Sequence, residues 1–342
     1  RTGDVIADWA DLFTDRRALG EAFATHAPTE LTDGELDQVH DWCARQYARI
    51  DEARGEEPGE RDPDAFGETG GDREPPVLDV EDNAILLRLH QLKRGWLRGP
   101  GGRLEHDHLM IDEVQDWSPL EVAVLLDTVG RGKPVTLAGD TAQRVSVESG
   151  FDRWDELFDE LGIRDARVEP LRVAYRSTVQ VMEVAREVLG PLAGEAPAAR
   201  RRGAEVEVHR FSDPGQAVDF LGAALRDLAG REPLASVAVI ARHPAQARIY
   251  HDGLVHAEVP RLRLVADQDF PFTPGVDVTD VRQVKGLEFD YVVLVDVSTD
   301  SYPVNDEARR LLHVGVTRAA HQLWILTTGT PSALLAPHRL GE

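Results

Sequence analysis

Met110-Ile111-Asp112-Glu113-Val114-Gln115-Asp116 decides how this chain is read, because an apolar strand there runs straight into adjacent carboxylates. The strand is His108 to Ile111. After it, Ser118-Pro119 supplies an N-cap and a proline at the first helical position, opening a helix to about Val129. Val135 to Ala138 is the next strand. Strand, turn, helix, strand is the alternation of a parallel α/β sheet. Ligands of such sheets lie beyond the carboxyl ends of the strands, so this strand aims Asp112 and Glu113 into a crevice. Hydrolysis of a nucleoside triphosphate needs one carboxylate to hold magnesium and another group to orient or deprotonate water, and Asp112 and Glu113 suit those roles. A chemically idle acidic turn has the same appearance, so the stretch alone leaves both readings open.

One helix and one strand later comes Leu137-Ala138-Gly139-Asp140-Thr141-Ala142-Gln143. Glycine permits tight backbone approach at a strand end, and the Gln143 amide can hydrogen-bond a phosphate oxygen and a moving element together. Beyond Tyr175 the periodicity predicts helices at Ser177 to Leu189, Pro214 to Leu228, Ala245 to Val255 and Glu307 to Ala320. Strands are predicted at Val206 to His209, Val237 to Ala241, Arg261 to Val265, Val276 to Thr279, Tyr291 to Val297 and Leu323 to Thr327. Upstream, Asp8 to Phe23 and Thr32 to about Ile50 read as helices, as does Ala84 to Trp96. Between them, Asp51 to Pro76 is dominated by Glu, Asp, Gly, Pro and Arg with Phe66 nearly alone as an apolar anchor, which suits a solvated acidic loop.

The expected organisation is therefore a mostly helical insertion over 1–100 with an acidic loop at 51–76, the back half of one sheet domain over 101–165, and a second complete domain over 166–342. At 342 residues and 42% hydrophobic, the chain has enough apolar material for two cores. No apolar run approaches the roughly 20 residues that span a bilayer, so no membrane partner is expected and the cytoplasm is the expected location. Cys43 is the only cysteine, which excludes an internal disulfide and a thiolate-rich zinc site. Lysine and arginine number 38 against 61 acids, a formal charge of −23 that opposes the electrostatic footprint of a general nucleic-acid binder but permits a local basic groove.

The acidic stretch and the Gly-Asp-Thr-Ala-Gln stretch, in that order, resemble motifs II and III of superfamily 1 helicases. Further along, Leu171 to Ser177 resembles motif IV, Gln283-Val-Lys285-Gly286-Leu-Glu288-Phe289-Asp290 motif V, and Leu311 to Ala319 motif VI. The chain from Asp82 to Thr327 thus resembles the UvrD/Rep group. That resemblance implies two RecA-like P-loop NTPase domains with parallel sheets, the first incomplete, and ATP with Mg2+ as cofactors. It implies that Tyr175 stacks on adenine, Glu288 binds ribose in a stretch turned by Gly286, Gln143 senses the γ-phosphate, and Arg176 and Arg318 reach it as arginine fingers. Guanidinium forks match phosphate oxygens and stabilise charge in a loose phosphoryl-transfer transition state.

The chain also departs from the group. No Gly-x-x-x-x-Gly-Lys-Ser/Thr phosphate loop occurs, and Gly132-Lys133 is followed by proline on the wrong side of motif II. The expectation is that the chain begins partway into the first domain and that 1–342 alone neither binds ATP tightly nor hydrolyses it. After Gln143, Arg144 to Gly150 has no aromatic to stack on a base, and Trp154 falls within a predicted helix, Asp152 to Leu161, where core packing is its default role. These departures, with the acidic charge, resemble the HelD-like branch, ATPases that bind RNA polymerase. Three readings follow: an ATP-driven helicase or translocase on single-stranded DNA, an RNA polymerase-binding recycling ATPase, and a non-catalytic interaction module.

Overall fold

The computed structural model describes residues 4–28, 30–55, 82–130, 132, 134–143, 151, 153–194 and 198–340. The expected acidic loop therefore lies outside the described residues from position 56 on, as does the segment Arg144 to Gly150. The chain divides into two compact units, one of residues 1–111 and 118–137, the other of 112–117 and 138–342.

The first unit is mainly helical: α1 (Val5–Phe13), α2 (Arg16–His26), α3 (Asp33–Gly55), α4 (Asp82–Arg94), a hairpin of β1 (Arg98–Gly99) and β2 (Gly102–Arg103), then β3 (Leu109–Ile111), α5 (Pro119–Leu126) and β4 (Val135–Leu137). The helix expected over Asp8 to Phe23 is two helices. Asp15 takes the N–H groups of Arg17 and Ala18 at 3.0 Å each, starting a new helix where one was predicted to continue. α3 runs five residues past Ile50 because Asp51-Glu-Ala-Arg keeps adequate helix propensity until Gly55. Trp9 is buried and its indole N–H donates to Asp82 at 3.1 Å, tying α1 to the start of α4. The Gln91 amide donates to the Val124 carbonyl at 2.8 Å, tying α4 to α5. α5 begins as the sequence predicts, with a reciprocal Ser118–Glu121 capping box and Pro119 in its first turn. β3 and β4 pair in parallel, so the strand that ends at Ile111 delivers the chain to Asp112.

The second unit contains α6 (Trp154–Glu160), β5 (Val173–Ala174), α7 (Val179–Leu189), β6 (Ala198–Ala199), β7 (Glu207–Phe211), α8 (Pro214–Arg231), β8 (Ser236–Ala241), α9 (Pro244–His256), β9 (Leu262–Leu264), β10 (Gly275–Asp280), β11 (Phe289–Leu294), α10 (Asp306–Thr317) and β12 (Ala319–Thr328). Six strands form one sheet in the order β7-β12-β11-β8-β10-β9, every pair parallel. Parallel sheets are covered on both faces, which explains the apolar runs Val237–Ala241 in β8 and Tyr291–Leu294 in β11. Along β8, Ala238 and Ile240 face a core shared with α7 and α10, while Val237, Val239 and Ala241 face another shared with α8 and α9. Fully burying one such valine or isoleucine side chain stabilises the fold by about 1.5–3 kcal/mol.

The last helix is shorter than predicted. α10 ends at Thr317 and β12 begins two residues later, leaving Arg318 at the corner. Within α10, a Cβ on Gly315 would lie 2.8 Å from Leu294 Cδ2, so a larger residue there would require the Leu294 side chain on β11 to shift. No described helix is long and apolar enough to cross a membrane.

Candidate functional site

All eight residues singled out from the sequence, Asp112, Glu113, Gln143, Tyr175, Arg176, Gly286, Glu288 and Arg318, fall in the second unit. Beyond β3 the backbone turns sharply. Asp112 is exposed, and one of its carboxylate oxygens accepts the Glu113 N–H at 2.9 Å. Glu113 sits at φ 51°, ψ 38°, a left-handed conformation costing a non-glycine residue on the order of 1–3 kcal/mol, followed by a short 3-10 turn over Val114–Asp116. Such a conformation persists where neighbours hold it. Here the Val114 N–H donates to the Ala138 carbonyl at 2.9 Å, and the Gln115 amide donates to the Glu113 carboxylate.

The same Gln115 amide accepts the Asp140 N–H at 2.9 Å, linking the acidic turn to the loop after β4. Asp140 organises that loop, accepting the Ala142 N–H at 3.0 Å and the Gln143 side-chain amide at 2.8 Å. The Gln143 amide oxygen in turn accepts from Arg318. Glu113, Gln115, Asp140, Gln143 and Arg318 are therefore one continuous set of hydrogen bonds.

Arg318 is 2% exposed. Its guanidinium also donates to the carbonyls of Val314 at 3.0 Å and Leu287 at 3.1 Å, and to the Thr317 hydroxyl at 3.0 Å. Burial, aided by the Arg176 charge, pushes its pKa down to about 10, while Glu113, Asp140 and Glu288 pull it back up. It remains a cation at neutral pH. His313, one turn earlier, is buried with its Nδ1 at 3.1 Å from the Ala185 carbonyl, and burial holds its pKa below the usual histidine range.

Arg176 pairs with Glu288 across the half-exposed edge of the unit, joining the stretch that resembles motif IV to the one that resembles motif V. Tyr175, adjacent, is 75% exposed and presents its ring to solvent. Gly286 has φ +75°, the left-handed region that favours glycine, and a Cβ there would lie 4.0 Å from a Glu113 carboxylate oxygen. The acids, both arginines, Gln143 and the Gly286–Glu288 stretch are thus brought together, whereas Tyr175 stands at the margin with its face open. Asp290 is structural: its carboxylate accepts the Ser236 N–H and hydroxyl at 2.8 Å each, locking β11 to β8. Trp154 is half-buried between Phe151 and Phe158, with ring centroids at 5.2 and 5.8 Å, in agreement with a packing role.

Some participants escape the sequence reading: Gln115, Asp140, and the ion pair of Lys285 with Asp116 that joins the motif V-like stretch to the acidic turn. These residue types were visible in the sequence, but spacing indicates which residues share an element and not which atoms meet across elements.

A family model for the UvrD-like helicase C-terminal domain matches residues 275–326, the segment that carries β10, β11, α10 and most of β12. The chain is 29% identical over 158 residues to the ATP-dependent DNA helicase UvrD2 of Mycobacterium bovis, and equally to that of Mycobacterium tuberculosis H37Rv, covering 44% of this chain and 23% of each relative. The chain thus spans less than a quarter of the length of these relatives. Among solved structures it is similar to the C-terminal domain of a possible DNA helicase from Lactobacillus plantarum WCFS1, 26% identical, covering 48% of this chain and 92% of that one at a TM-score of 0.40. Residues 275–326 are thus similar to the UvrD-like helicase C-terminal domain, and a 158-residue stretch of the chain is similar to part of the UvrD2 helicases.

Proposed function

We propose that this chain is part of an ATP-dependent superfamily 1 helicase or translocase, in which the residues gathered around Arg318 couple hydrolysis of ATP to movement on single-stranded DNA. The observation that carries this reading is the uninterrupted hydrogen-bonded connection from the Glu113 carboxylate to the Arg318 guanidinium. Such a connection lets a change at the reacting group be felt at a residue on another element.

The residues present fit one part of a magnesium–ATP site, without the phosphate loop. Adjacent carboxylates follow a strand end, a buried guanidinium stays charged, and an aromatic face is open beside a second arginine. When bound, magnesium–ATP supplies the γ-phosphoryl group that passes to water. Asp112 would hold the metal ion, and Glu113 would orient the attacking water and take its proton. Arg176 and Arg318 would neutralise charge on the phosphoryl oxygens, Gln143 would sense that group, Tyr175 would stack on the base, and Glu288 would bind the ribose in the stretch turned by Gly286. Two RecA-like domains over 101–165 and 166–342, with a helical insertion over 1–100, form the proposed frame.

The test is the magnesium-dependent ATPase of the native protein. Glu113→Gln is expected to lower turnover by about 10²–10⁴, the contribution of a positioned general base, while nucleotide binding persists. Unchanged turnover removes Glu113 from its role. One observation, the charge of −23, favours a second reading, an ATPase that acts on RNA polymerase. Salt-dependent binding of single-stranded DNA supports the first reading, and copurification with RNA polymerase supports the second.

A further inference from the structure

Gln115 is fully buried, and both ends of its amide are committed. The orientation of that amide is forced. A backbone N–H can only donate, so the end facing Asp140 is the oxygen, and an ionised carboxylate can only accept, so the end facing Glu113 is the nitrogen. Few side chains offer a donor and an acceptor on one rigid plane at this length. Glutamate would set a carboxylate against Glu113, and methionine, of nearly the same size, would satisfy neither partner.

A second observation concerns the space the amide occupies. A Cβ on Gly139 would lie 2.4 Å from the Gln115 amide oxygen, 3.0 Å from Val114 Cγ1 and 3.3 Å from the Val114 nitrogen. The first is a separation that a Cβ does not tolerate, and the other two would require Val114 to give by a few tenths of an ångström. The glycine before Asp140 is therefore the cleft through which the Gln115 amide reaches the loop. Glu113, in its left-handed conformation, is held from behind by the same amide.

We infer that Gln115 is a positioning residue: it sets the Glu113 carboxylate and fastens it to the Asp140–Gln143 loop, so that the acid and the partner of Arg318 move as one unit. The inference rests on the reading of Glu113 as the group that acts on water. It specifies that Gln115 touches neither nucleotide nor metal and acts only through Glu113 and Asp140.

Two variants test it, Gln115→Met and Gly139→Ala, each with two readouts. Hydrogen exchange of the chain requires no nucleotide. Both variants are expected to speed exchange at the Asp140 amide and at Gln143, while β8 and β11 keep their protection as evidence of an intact fold. In the native protein, both are expected to lower kcat for ATP by about 10²-fold, the scale of a misplaced reacting group, with KM for ATP little changed. Unaltered exchange at Asp140 in Gln115→Met overturns the inference. So does accelerated exchange with kcat unchanged, or a KM that rises in step with a falling kcat. A native wild-type protein without ATPase activity would defeat the proposed function instead, and the exchange data would still decide whether Gln115 fastens the two segments.

Discussion

The two units differ in how they hold what they carry. In the second, strands β8, β10 and β11 are buried on both faces, and α10 is pressed onto the sheet at Gly315 before it delivers Arg318. In the first, α1, α3 and α4 meet around Trp9 and Cys43 with half-buried neighbours such as Phe13, Val39 and Leu89, and Leu12, Leu87, Leu92 and Trp96 remain exposed. A sheet covered on both sides holds the ends of its strands firmly, because close-packed interiors have low compressibility. A layer of helices with one buried stripe fixes less. Every candidate residue lies in the unit with the stiffer frame.

The sharpest way to break this comparison is at Arg318. Replacing it by alanine is expected to lower turnover of the native protein by roughly 10³–10⁵, as for an arginine finger. Arg318→Lys keeps the charge but loses the fork that serves Gln143, Val314 and Leu287 together, and is expected to recover only part of the loss. Full activity in the lysine variant would mean that charge alone suffices and that the rigid delivery of the fork is irrelevant.

Truncations measure how much the packing at each position contributes. Leu294→Ala, at a fully buried position of β11, is expected to cost about 2–5 kcal/mol in denaturant unfolding of the second unit. Leu87→Ala on α4, 41% exposed, is expected to stay within about 0.5 kcal/mol. Equal costs would erase the contrast between the units.

The smallest effect concerns pH. Burial holds the folded-state pKa of His313 below its ordinary value, so the neutral ring stabilises the fold above that value and the stability is lost as pH falls. Melting temperature should therefore decline on acidification below about pH 6.5 in the wild-type chain, and His313→Gln, which can still donate to the Ala185 carbonyl, should flatten part of that decline. An identical slope in both proteins assigns the acid sensitivity elsewhere.

Much of the fold was legible because its signals are local. Ser118-Pro119 marked the start of α5 through a cap that requires only its own neighbours, whereas the caps Asp213 and Asn305 were seen only in the structure. Apolar runs marked β8 and β11, and the alternation of Val276 and Val278 marked β10. The break between α1 and α2 was hidden because the apolar periodicity of Asp8 to Phe23 runs across Thr14-Asp15, and the capping role of Asp15 depends on the chain turning there. The two-residue strands β5 and β6 are too short for any pattern to announce. In the site, Asp112, Glu113, Arg176 and Arg318 could be proposed from residue type and order, but their partners could not.

The amino-acid sequence alone determined the alternation of strands and helices, the apolar faces that make two cores in the second unit, the excess of acid, and the set of candidate site residues. Tertiary structure decided which of them meet: Arg318 with Gln143 across 175 positions, Lys285 with Asp116 across 169, and Gln115 with both Glu113 and Asp140. The reason is one of scale. Burial and propensity vary over whole residues and repeat with the geometry of an element, so they leave a trace in one dimension. A hydrogen bond exists or fails over a few tenths of an ångström between segments whose approach is fixed only when the sheet and its helices have packed.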